Sequence, residues 1–383
     1  MRQRSEHSAS EPIDSQLADN PLYQKFKQRA DDDKPPSRSN ALGAIAHARS
    51  PGVTSRRALA DAILNQDKGL VVGHFGTIRY KPASVCGIDL KLEPLHPSIG
   101  TIVHGIDLTT DLTTKEMVTF LRELWLERRV IGFRNQNHLS RHQLVEFAEK
   151  FGEVGAQFGE REHKPNSPHD INQQIKVPDI PDMLVLPSDE VVPNAASGWH
   201  SDATWQERPP MGSILMCREA PPIGGDTCFC DCYAMWEGLP LATKRRVEFL
   251  RAVHVGSVGH QMDGKTPSAV HPVARTHPET CHTTLFVQQG FVRRFADEHN
   301  IEPEEERELL WQMRMQEGRP EYTCRFAWEA GSIAMWDNRA VLHSASGDFW
   351  PHRRMMERLT ILDYDKTRRT PFYAPKEQSQ PSH

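Results

Sequence analysis

The sequence predicts a mainly β fold with flanking helices, of the barrel or jelly-roll type, and two observations support that class. Beyond Pro187, short apolar runs alternate with Pro and Gly through the rest of the chain. Helical periodicity interrupts these runs at two places only, near residues 240–252 and over 303–318. Many short strands separated by turns are typical of barrels and jelly rolls.

Two helices and one strand are predicted ahead of this region. Thr113 and Glu116 have capping-box spacing, and an apolar stripe follows at Met117, Phe120, Leu121 and Leu124. The apolar run VIGF at 130–133 is short enough for a buried strand. Ser140 and Gln143 repeat the capping pattern before a second stripe of Leu144, Phe147 and Phe151.

The strand-rich region contains five runs that we predict as strands. They are GSILMCREA from Gly212, DTCFCDCYA from Asp226, TTLFVQQGF from Thr283, GSIAMWDNR from Gly331 and RLTILDYD from Arg358. The acidic run PEEERE at 303–308 suits a solvated helix start, because acidic side chains are favourable at that end of the helix dipole.

The bulk composition limits the partners that we expect. The formal charge is −5, and the basic residues form no block, so we expect no nucleic-acid partner. No stretch reaches the roughly 18 apolar residues that span a bilayer, and the first 40 residues lack the apolar core of a signal peptide. We therefore expect a cytoplasmic protein without a membrane partner. A homo-oligomer is compatible with the sequence, which does not fix the oligomeric state.

Three segments are predicted along the chain. Residues 1–85 form a polar, largely disordered or weakly structured extension, because too little apolar surface is present to offset ordering. Residues 86–375 form the folded domain, and residues 376–383 a flexible tail.

Seven cysteines, an odd number without secreted-type spacing, predict reduced thiols. Cys228, Cys230 and Cys232 alternate in TCFCDCY, a pattern that also invites a metal-site interpretation. Side chains at period 2 point to one face of a strand, which is poor geometry for closing around one zinc ion. Structural thiols are the preferred interpretation.

The segment GWHSDATW places His200 and Asp202 two residues apart. Taken alone, the pair could be polar loop residues without a binding role or two ligands of one metal ion. Two imidazoles and a carboxylate on one face of an ion are diagnostic of non-haem Fe(II) oxygenases, which need a third ligand from elsewhere in the chain. His343 follows a strand-like run, and Arg354 and Arg358 come after it. A planar guanidinium suits a carboxylate-binding role, because it binds two oxygens and keeps its charge.

At this point the chain resembles the taurine/dichlorophenoxyacetate dioxygenase (TauD/TfdA) family of Fe(II)- and 2-oxoglutarate-dependent oxygenases, from about Leu92 to Pro375. The motifs that carry the resemblance are SIGTIVHGIDL, FGEV, WHSDATWQERPPMGSIL, GGDTCF, HPVARTHP, WDNRAVLH and RRMMERLTI. The resemblance implies a double-stranded β-helix, a jelly-roll core that agrees with the predicted strands.

The resemblance also implies roles for individual residues. His200, Asp202 and His343 would hold Fe(II). Thr227 would hydrogen-bond 2-oxoglutarate, and Arg354 would pair with its distal carboxylate.

The substrate half of the site matches the family less closely. Arg358 resembles the family arginine that meets the anionic group of the substrate, although it could instead brace the strand through a carboxylate. Phe291 matches an aromatic that lines the pocket. Gln157 stands where the taurine enzymes have a sulfonate-binding His, and Ala196 replaces an expected Asn. We therefore do not predict taurine as the substrate.

The implied activity is oxidation, most simply hydroxylation, of a small organic anion such as a sulfonate, sulfate ester or carboxylate. O2 and 2-oxoglutarate would be consumed, and succinate and CO2 released. Desaturation or cyclisation at the same site is an alternative. A metal-dependent hydrolase and an inactive binding module are alternatives from other classes. The Thr227 and Arg354 signals disfavour the hydrolase, and the intact set of metal ligands disfavours the binding module.

Overall fold

A large mixed sheet and a three-stranded sheet carry the fold, as seen in a computed structural model of the chain. The structure describes residues 70–73, 76–79, 83–155, 175–177, 179–188, 198–256, 265–296 and 301–375. All of these belong to one unit, which spans Gly52–His383.

The strands are numbered in chain order. They are β1 Leu70–Gly73, β2 Gly76–Arg79, β3 Ala83–Val85, β4 Ile88–Pro94, β5 Thr101–His104, β6 Val130–Phe133, β7 Glu153–Gly155, β8 Ile175–Val177, β9 Ile180–Ser188, β10 Gly212–Glu219, β11 Thr227–Asp231, β12 Arg251–Val255, β13 Ser268–Pro272, β14 Ala274–Thr276, β15 Thr283–Leu285, β16 Val292–Phe295, β17 Thr323–Phe326, β18 Ile333–Asp337, β19 Val341–Ala345 and β20 Arg354–Leu362. The helices are α1 Lys115–Arg128, α2 Arg141–Glu149, α3 Cys232–Glu237, α4 Leu241–Val247 and α5 Pro303–Arg314.

The large sheet has the order β3-β4-β5-β6-β18-β10-β20-β9-β8, with β7 pairing at the end of β20. The small sheet has the order β17-β11-β19. One hydrophobic core joins side chains of both sheets, among them Val130, Leu215, Phe229, Phe326, Val341 and Met356. The two sheets therefore pack face to face, and the predicted jelly-roll class is confirmed.

Helices α1 and α2 cover the opposite face of the large sheet. Their buried side chains share a core with those of β6, β10, β18 and β20, and the helical members include Met117, Leu121, Trp125, Leu144 and Phe147. The capping box at Ser140 and Gln143 is present as predicted. The first helix is capped one residue later than predicted, because the side chain of Thr114, not Thr113, accepts the Met117 N–H.

The five strands predicted beyond Pro187 all end before the apolar runs that indicated them, and two of them show where such a run ends. The run from Asp226 turns into α3 at Cys232, because the Asp231 carboxylate accepts the N–H groups of Tyr233 and Ala234 and so begins a helix. The run from Thr283 is a strand only through Leu285.

All seven cysteines are free thiols, in agreement with the prediction. Cys230 and Cys232 are buried and Cys228 is partly buried. Within the residues that the structure describes, no helix is both long and apolar enough to cross a bilayer. Most of the predicted extension 1–85 and the tail 376–383 lie outside the described residues, whereas β1 and β2 fall inside the extension.

Candidate active site

Two histidines and an aspartate meet between the sheets. The atoms that His200, Asp202 and His343 can offer to a metal all lie within 4.8 Å of one another. Asp202 Oδ1 lies 3.8 Å from His200 Nε2 and 3.6 Å from His343 Nε2. In the described part of the chain, this is the single cluster of three or more His, Cys, Asp or Glu side chains able to hold an ion. The structure therefore brings together the three residues that the sequence singled out.

Backbone pairing fixes the separation of the two imidazoles. The N–H of His200 donates to the His343 carbonyl at 3.0 Å, and the N–H of His343 donates to the His200 carbonyl at 2.7 Å. The ring centroids are 4.2 Å apart. His343 lies on β19, which pairs with β11 so that His343 is opposite Phe229. The two backbone hydrogen bonds between His200 and His343 therefore attach the His200 segment to the small sheet.

Asp202 projects from a tight turn. Ala203, directly after it, is buried and has a φ of 47°, a region that residues with a side chain rarely adopt. Gln288 holds the turn from both sides: its Oε1 accepts the Ser201 N–H at 2.5 Å, and its Nε2 donates to Thr204 Oγ1 at 2.8 Å. The turn is thus held in place by a side chain from the segment after β15.

The protonation states suit metal binding. His200 Nδ1 lies 2.8 Å from the Gly198 carbonyl and must donate to it, so the lone pair is on Nε2, which faces Asp202. Burial lowers the pKa of His200 and lowers that of His343 further, which keeps both imidazoles neutral. Burial opposes ionisation of Asp202, but the charge and hydrogen bond of Arg358, together with His343 and His200, outweigh it, and the Asp202 pKa is lowered. Neutral imidazoles and an ionised carboxylate are the forms that coordinate metals.

Arg358 lies against the second oxygen of Asp202. Its Nη2 is 2.5 Å from Asp202 Oδ2 and 3.2 Å from Ser213 Oγ, while its buried Nε makes no hydrogen bond within the described residues. The sequence placed Arg358 at the anionic end of a substrate or against a carboxylate. The structure contains the carboxylate contact, and a role in substrate binding stays a prediction.

Thr227 and Arg354 lie on β11 and β20, and both are buried. Thr227 Oγ1 accepts the Trp328 indole N–H at 3.0 Å. Arg354 Nη1 donates to the Gly225 carbonyl at 2.7 Å, and its guanidinium lies 5.4 Å from the Phe349 ring centroid. The buried Nε of Arg354 has no hydrogen-bond partner among the described residues. Burial lowers the Arg354 pKa, and Cys217, Asp226 and Asp348 offset this lowering only in part.

The turn before Thr227 needs its two glycines. Gly224 and Gly225 have φ values of 75° and 72°. A side chain at Gly224 would lie 2.6 Å from the Asp348 carbonyl oxygen. The Gly225 N–H donates to Asp348 Oδ1 at 2.8 Å, and Arg325 binds both Asp226 and Asp348. This surface ion pair network holds the turn whose carbonyl receives Arg354.

Phe291 lies beside the metal-binding cluster. Its ring centroid is 4.5 Å from that of Trp205 and 6.1 Å from that of His200. The Phe291 and Trp205 rings thus form an apolar surface next to the cluster, and a pocket-lining role for Phe291 stays a prediction. Gln157 and Ala196 lie outside the described residues.

Sequence reasoning missed two residues that support the cluster, Ser213 and Gln288. Ser213 stands inside the motif WHSDATWQERPPMGSIL, and Gln288 inside the run TTLFVQQGF that was predicted as a strand. Their side chains meet the His-x-Asp segment only because of strand register and loop position, and neither of these can be read from spacing. Trp328, which the sequence analysis also did not single out as a site residue, donates a hydrogen bond to Thr227.

The model of the taurine catabolism dioxygenase TauD, TfdA family matches residues 91–360. The chain belongs to the TauD/TfdA family. A 2,4-dichlorophenoxyacetate dioxygenase of Cupriavidus pinatubonensis is 31% identical over 71% of this chain and 97% of its own. An alkylsulfatase of Acinetobacter baylyi is 29% identical over 71% of this chain and 84% of its own. The crystal structure of a taurine dioxygenase from Burkholderia xenovorans has a TM-score of 0.60 at 32% identity, and covers 72% of this chain and 91% of its own.

Membership of the TauD/TfdA family identifies the chain as an enzyme of the alpha-ketoglutarate-dependent dioxygenase class. It also confirms the resemblance found in the sequence. The structural neighbours share the sheet-on-sheet core described above.

Proposed function

We propose that this chain is an Fe(II)- and 2-oxoglutarate-dependent dioxygenase that oxidises a small organic anion and releases succinate and CO2. The observation that carries the proposal is the convergence of His200, Asp202 and His343 on one point. Two imidazoles and one carboxylate, with the other positions of the ion left to co-substrates, favour Fe(II) oxygenase chemistry.

The residues at this point fit a ferrous ion. Both imidazoles are held neutral by burial, and the Asp202 carboxyl is held ionised beside Arg358. His343 and His200 are fixed by their mutual backbone bridge. When bound, the ion supplies the activation of O2 that 2-oxoglutarate decarboxylation drives. The side chains would hold the ion and orient what binds next to it.

Thr227 and Arg354 fit the co-substrate. Because Thr227 Oγ1 accepts the Trp328 N–H, its own hydrogen is available to a carboxylate. The Arg354 guanidinium is buried with Nε unpaired, and a bound carboxylate would satisfy both that donor and the charge. In the balanced reaction, 2-oxoglutarate, O2 and a substrate C–H bond give succinate, CO2 and a C–OH group.

The substrate that we propose is a sulfonate, sulfate ester or carboxylate with an apolar skeleton. The relatives are named for such compounds, among them a sulfate ester dioxygenase of Pseudomonas putida and the dichlorophenoxyacetate enzyme. Phe291 and Trp205 supply an apolar wall, and Arg358 is a cation next to it. Gln157, in place of the sulfonate-binding His of the taurine enzymes, argues against taurine itself.

We further propose residues 86–375 as the catalytic domain, which contains the family match and every residue named above. A cytoplasmic location, the lack of nucleic-acid or membrane partners and a homo-oligomeric state stay predictions.

The test is anaerobic addition of Fe(II) and 2-oxoglutarate, followed by exposure to O2 with a panel of carboxylates, sulfonates and sulfate esters. We expect a visible charge-transfer band before O2, then succinate release coupled to O2 uptake with at least one substrate. His200→Ala should lose both the band and turnover. His142→Ala, which removes an exposed imidazole from α2, is the matched control and should keep both.

Each competing function gives a different result. A hydrolase would release product without O2 uptake, and an inactive binding module would give neither a band nor succinate. Desaturation or cyclisation would give succinate with a product lacking the added oxygen, which mass spectrometry detects. Unchanged activity of His200→Ala would remove the iron assignment.

A further inference from the structure

We infer that Ser213 and Asn338 are positioning residues that hold Asp202 with a single oxygen directed at the metal centre. The inference rests on the proposed function, since it assigns Asp202 as a metal ligand. It adds a buried hydrogen-bond chain, from Trp336 through Asn338 and Ser213, that acts on the metal through the ligand carboxylate.

The hydrogen bonds of this chain run in one direction. An indole nitrogen can only donate, so Trp336 Nε1 donates to Asn338 Oδ1 at 2.9 Å. That contact fixes the orientation of the amide, and Asn338 Nδ2 donates to Ser213 Oγ at 3.1 Å. Arg358 Nη2, also a pure donor, lies 3.2 Å from the same oxygen. Because Ser213 Oγ accepts twice, its own hydrogen is left for Asp202 Oδ2, at 2.8 Å.

The two oxygens of Asp202 therefore have different partners. Oδ2 receives the Ser213 hydroxyl and the Arg358 guanidinium, which lies 2.5 Å away. Oδ1 faces the Nε2 atoms of His200 and His343. A carboxylate that turned to offer both oxygens to a metal would have to give up two hydrogen bonds to its charged form. This hydrogen-bond chain would thus leave only Oδ1 of Asp202 to the ion, and the position that Oδ2 would otherwise take to the co-substrates.

Strand register fixes the geometry of this hydrogen-bond chain. Ser213 on β10 lies directly opposite Trp336 on β18. Ser213, Trp336 and Asn338 are 0%, 1% and 2% exposed, so water does not replace their hydrogen bonds. The backbone of Asn338 is held as well, because its N–H donates to the Met211 carbonyl at 2.9 Å and its carbonyl accepts the Ser201 hydroxyl at 2.7 Å.

Trp336 also touches the second histidine. Its ring centroid is 4.8 Å from that of His343, and the Arg358 guanidinium lies 5.9 Å from the same ring. One side chain therefore packs against one metal ligand and begins the hydrogen-bond chain that orients another. Because Trp336 contacts one proposed ligand and starts the hydrogen bonds that reach another, we expect the hydrogen-bond chain to affect metal binding and not only stability.

The test is metal binding by apo protein, measured with Co(II) alone as a spectroscopic probe and with Fe(II) plus 2-oxoglutarate under anaerobic conditions. Ser213→Ala should raise the dissociation constant for Co(II) about 10- to 100-fold, the usual cost of removing a partner of a metal ligand. It should also change the Co(II) absorption intensity, because a carboxylate that offers both oxygens alters the coordination number. Asn338→Ala should act in the same direction, and the double variant should match Ser213→Ala, since both residues act through one hydrogen bond.

Ser332→Ala is the matched control. Ser332 is equally buried, but its Oγ hydrogen-bonds Arg134 and the Glu329 N–H instead of the Ser213 chain. It should bind Co(II) as the wild type does, and thermal unfolding should show that all the variants are folded. Wild-type affinity and spectrum in Ser213→Ala, equal weakening in Ser332→Ala, or full additivity of Ser213→Ala and Asn338→Ala would each overturn the inference. Absence of metal binding in the wild type would instead overturn the proposed function.

Discussion

Replacement of Arg354 by Met tests the co-substrate site most directly. Met is of similar length and apolar, so it fits a position that is 6% exposed while removing the guanidinium. Truncating one partner of a buried, hydrogen-bonded charge pair costs about 2–5 kcal/mol. The apparent dissociation constant for 2-oxoglutarate should therefore rise roughly 30- to 4,000-fold, at about tenfold for each 1.4 kcal/mol. Arg354→Lys keeps the charge but loses the planar guanidinium, so its dissociation constant for 2-oxoglutarate should lie between those of the wild type and Arg354→Met.

The structure also predicts how stability responds to Arg354→Met. The variant loses one hydrogen bond, from Nη1 to the Gly225 carbonyl, which contributes about 1 kcal/mol. It also removes a buried cation whose pKa is lowered by burial, and this gain offsets the loss. Without 2-oxoglutarate, the free energy of unfolding should therefore stay within about 1 kcal/mol of the wild type.

Two assays measure these effects. The first is the 2-oxoglutarate dependence of succinate release, and the second is thermal unfolding with the metal, with and without 2-oxoglutarate. At 100 times its dissociation constant the co-substrate should stabilise the wild type by about 2.7 kcal/mol, and the Met variant much less. Arg353→Met is the control, because this neighbouring side chain is 71% exposed. Wild-type affinity for 2-oxoglutarate in Arg354→Met, or an equal loss in Arg353→Met, would refute the assignment.

Three further predictions concern other parts of the molecule. Trp328→Phe deletes the indole N–H that Thr227 Oγ1 accepts. The variant should raise the KM for 2-oxoglutarate about fivefold and leave kcat near the wild-type value, since one neutral hydrogen bond is worth about 1 kcal/mol. An unchanged KM would count against a role of Trp328 in orienting Thr227. Burial lowers the pKa of His271 and of His277 to about 4, so between pH 6.5 and 4 the unfolded chain binds more protons than the folded one. Stability should fall as pH falls, by roughly 2 kcal/mol for each imidazole from pH 7 to 5, and urea unfolding at both pH values would expose a flat dependence if this is wrong. Phe291→Ala shortens the apolar wall and should raise the KM for the best substrate while sparing the 2-oxoglutarate KM; a change confined to the latter would contradict the pocket role.

Local chemistry made much of the fold predictable. The helix after Ser140 begins where its capping box indicates, because a Ser side chain and a Gln three residues later satisfy the same free N–H groups wherever they occur. The first helix shows the limit of this reasoning. Thr113 and Thr114 are chemically equivalent as caps, and only the backbone, extended at Thr114 with a ψ of 143°, decides between them.

The apolar runs predicted that strands exist at these places better than they predicted where each strand ends. The run from Asp226 stops being a strand where the Asp231 carboxylate caps α3. The run from Thr283 stops after Leu285, and its Gln288 side chain turns to hold the Asp202 loop instead. Both strand ends depend on a polar side chain that hydrogen-bonds a backbone group. Hydrophobic periodicity contains no information about such hydrogen bonds.

The candidate site was predictable to the extent that whole motifs carry it. His200 and Asp202 are sequence neighbours, but His343 joins them only through long-range strand pairing, which the family resemblance supplied. The supporting residues were harder to find. Ser213 meets Trp336 because of the register of β10 and β18, and a shift of one residue would turn Ser213 to the other face of the sheet.

The paired peptide groups of His200 and His343 bear on how the protein would bind and release the proposed ion. Backbone hydrogen bonds, which involve no ion, hold the two segments so that the ring centroids are 4.2 Å apart, and binding of an ion should therefore require little rearrangement of the polypeptide. An emptied protein should keep its native sheets, unlike a zinc finger, which unfolds when its ion is withdrawn. An ion lost from the proposed site should then be replaced by simple re-entry, without a cycle of refolding.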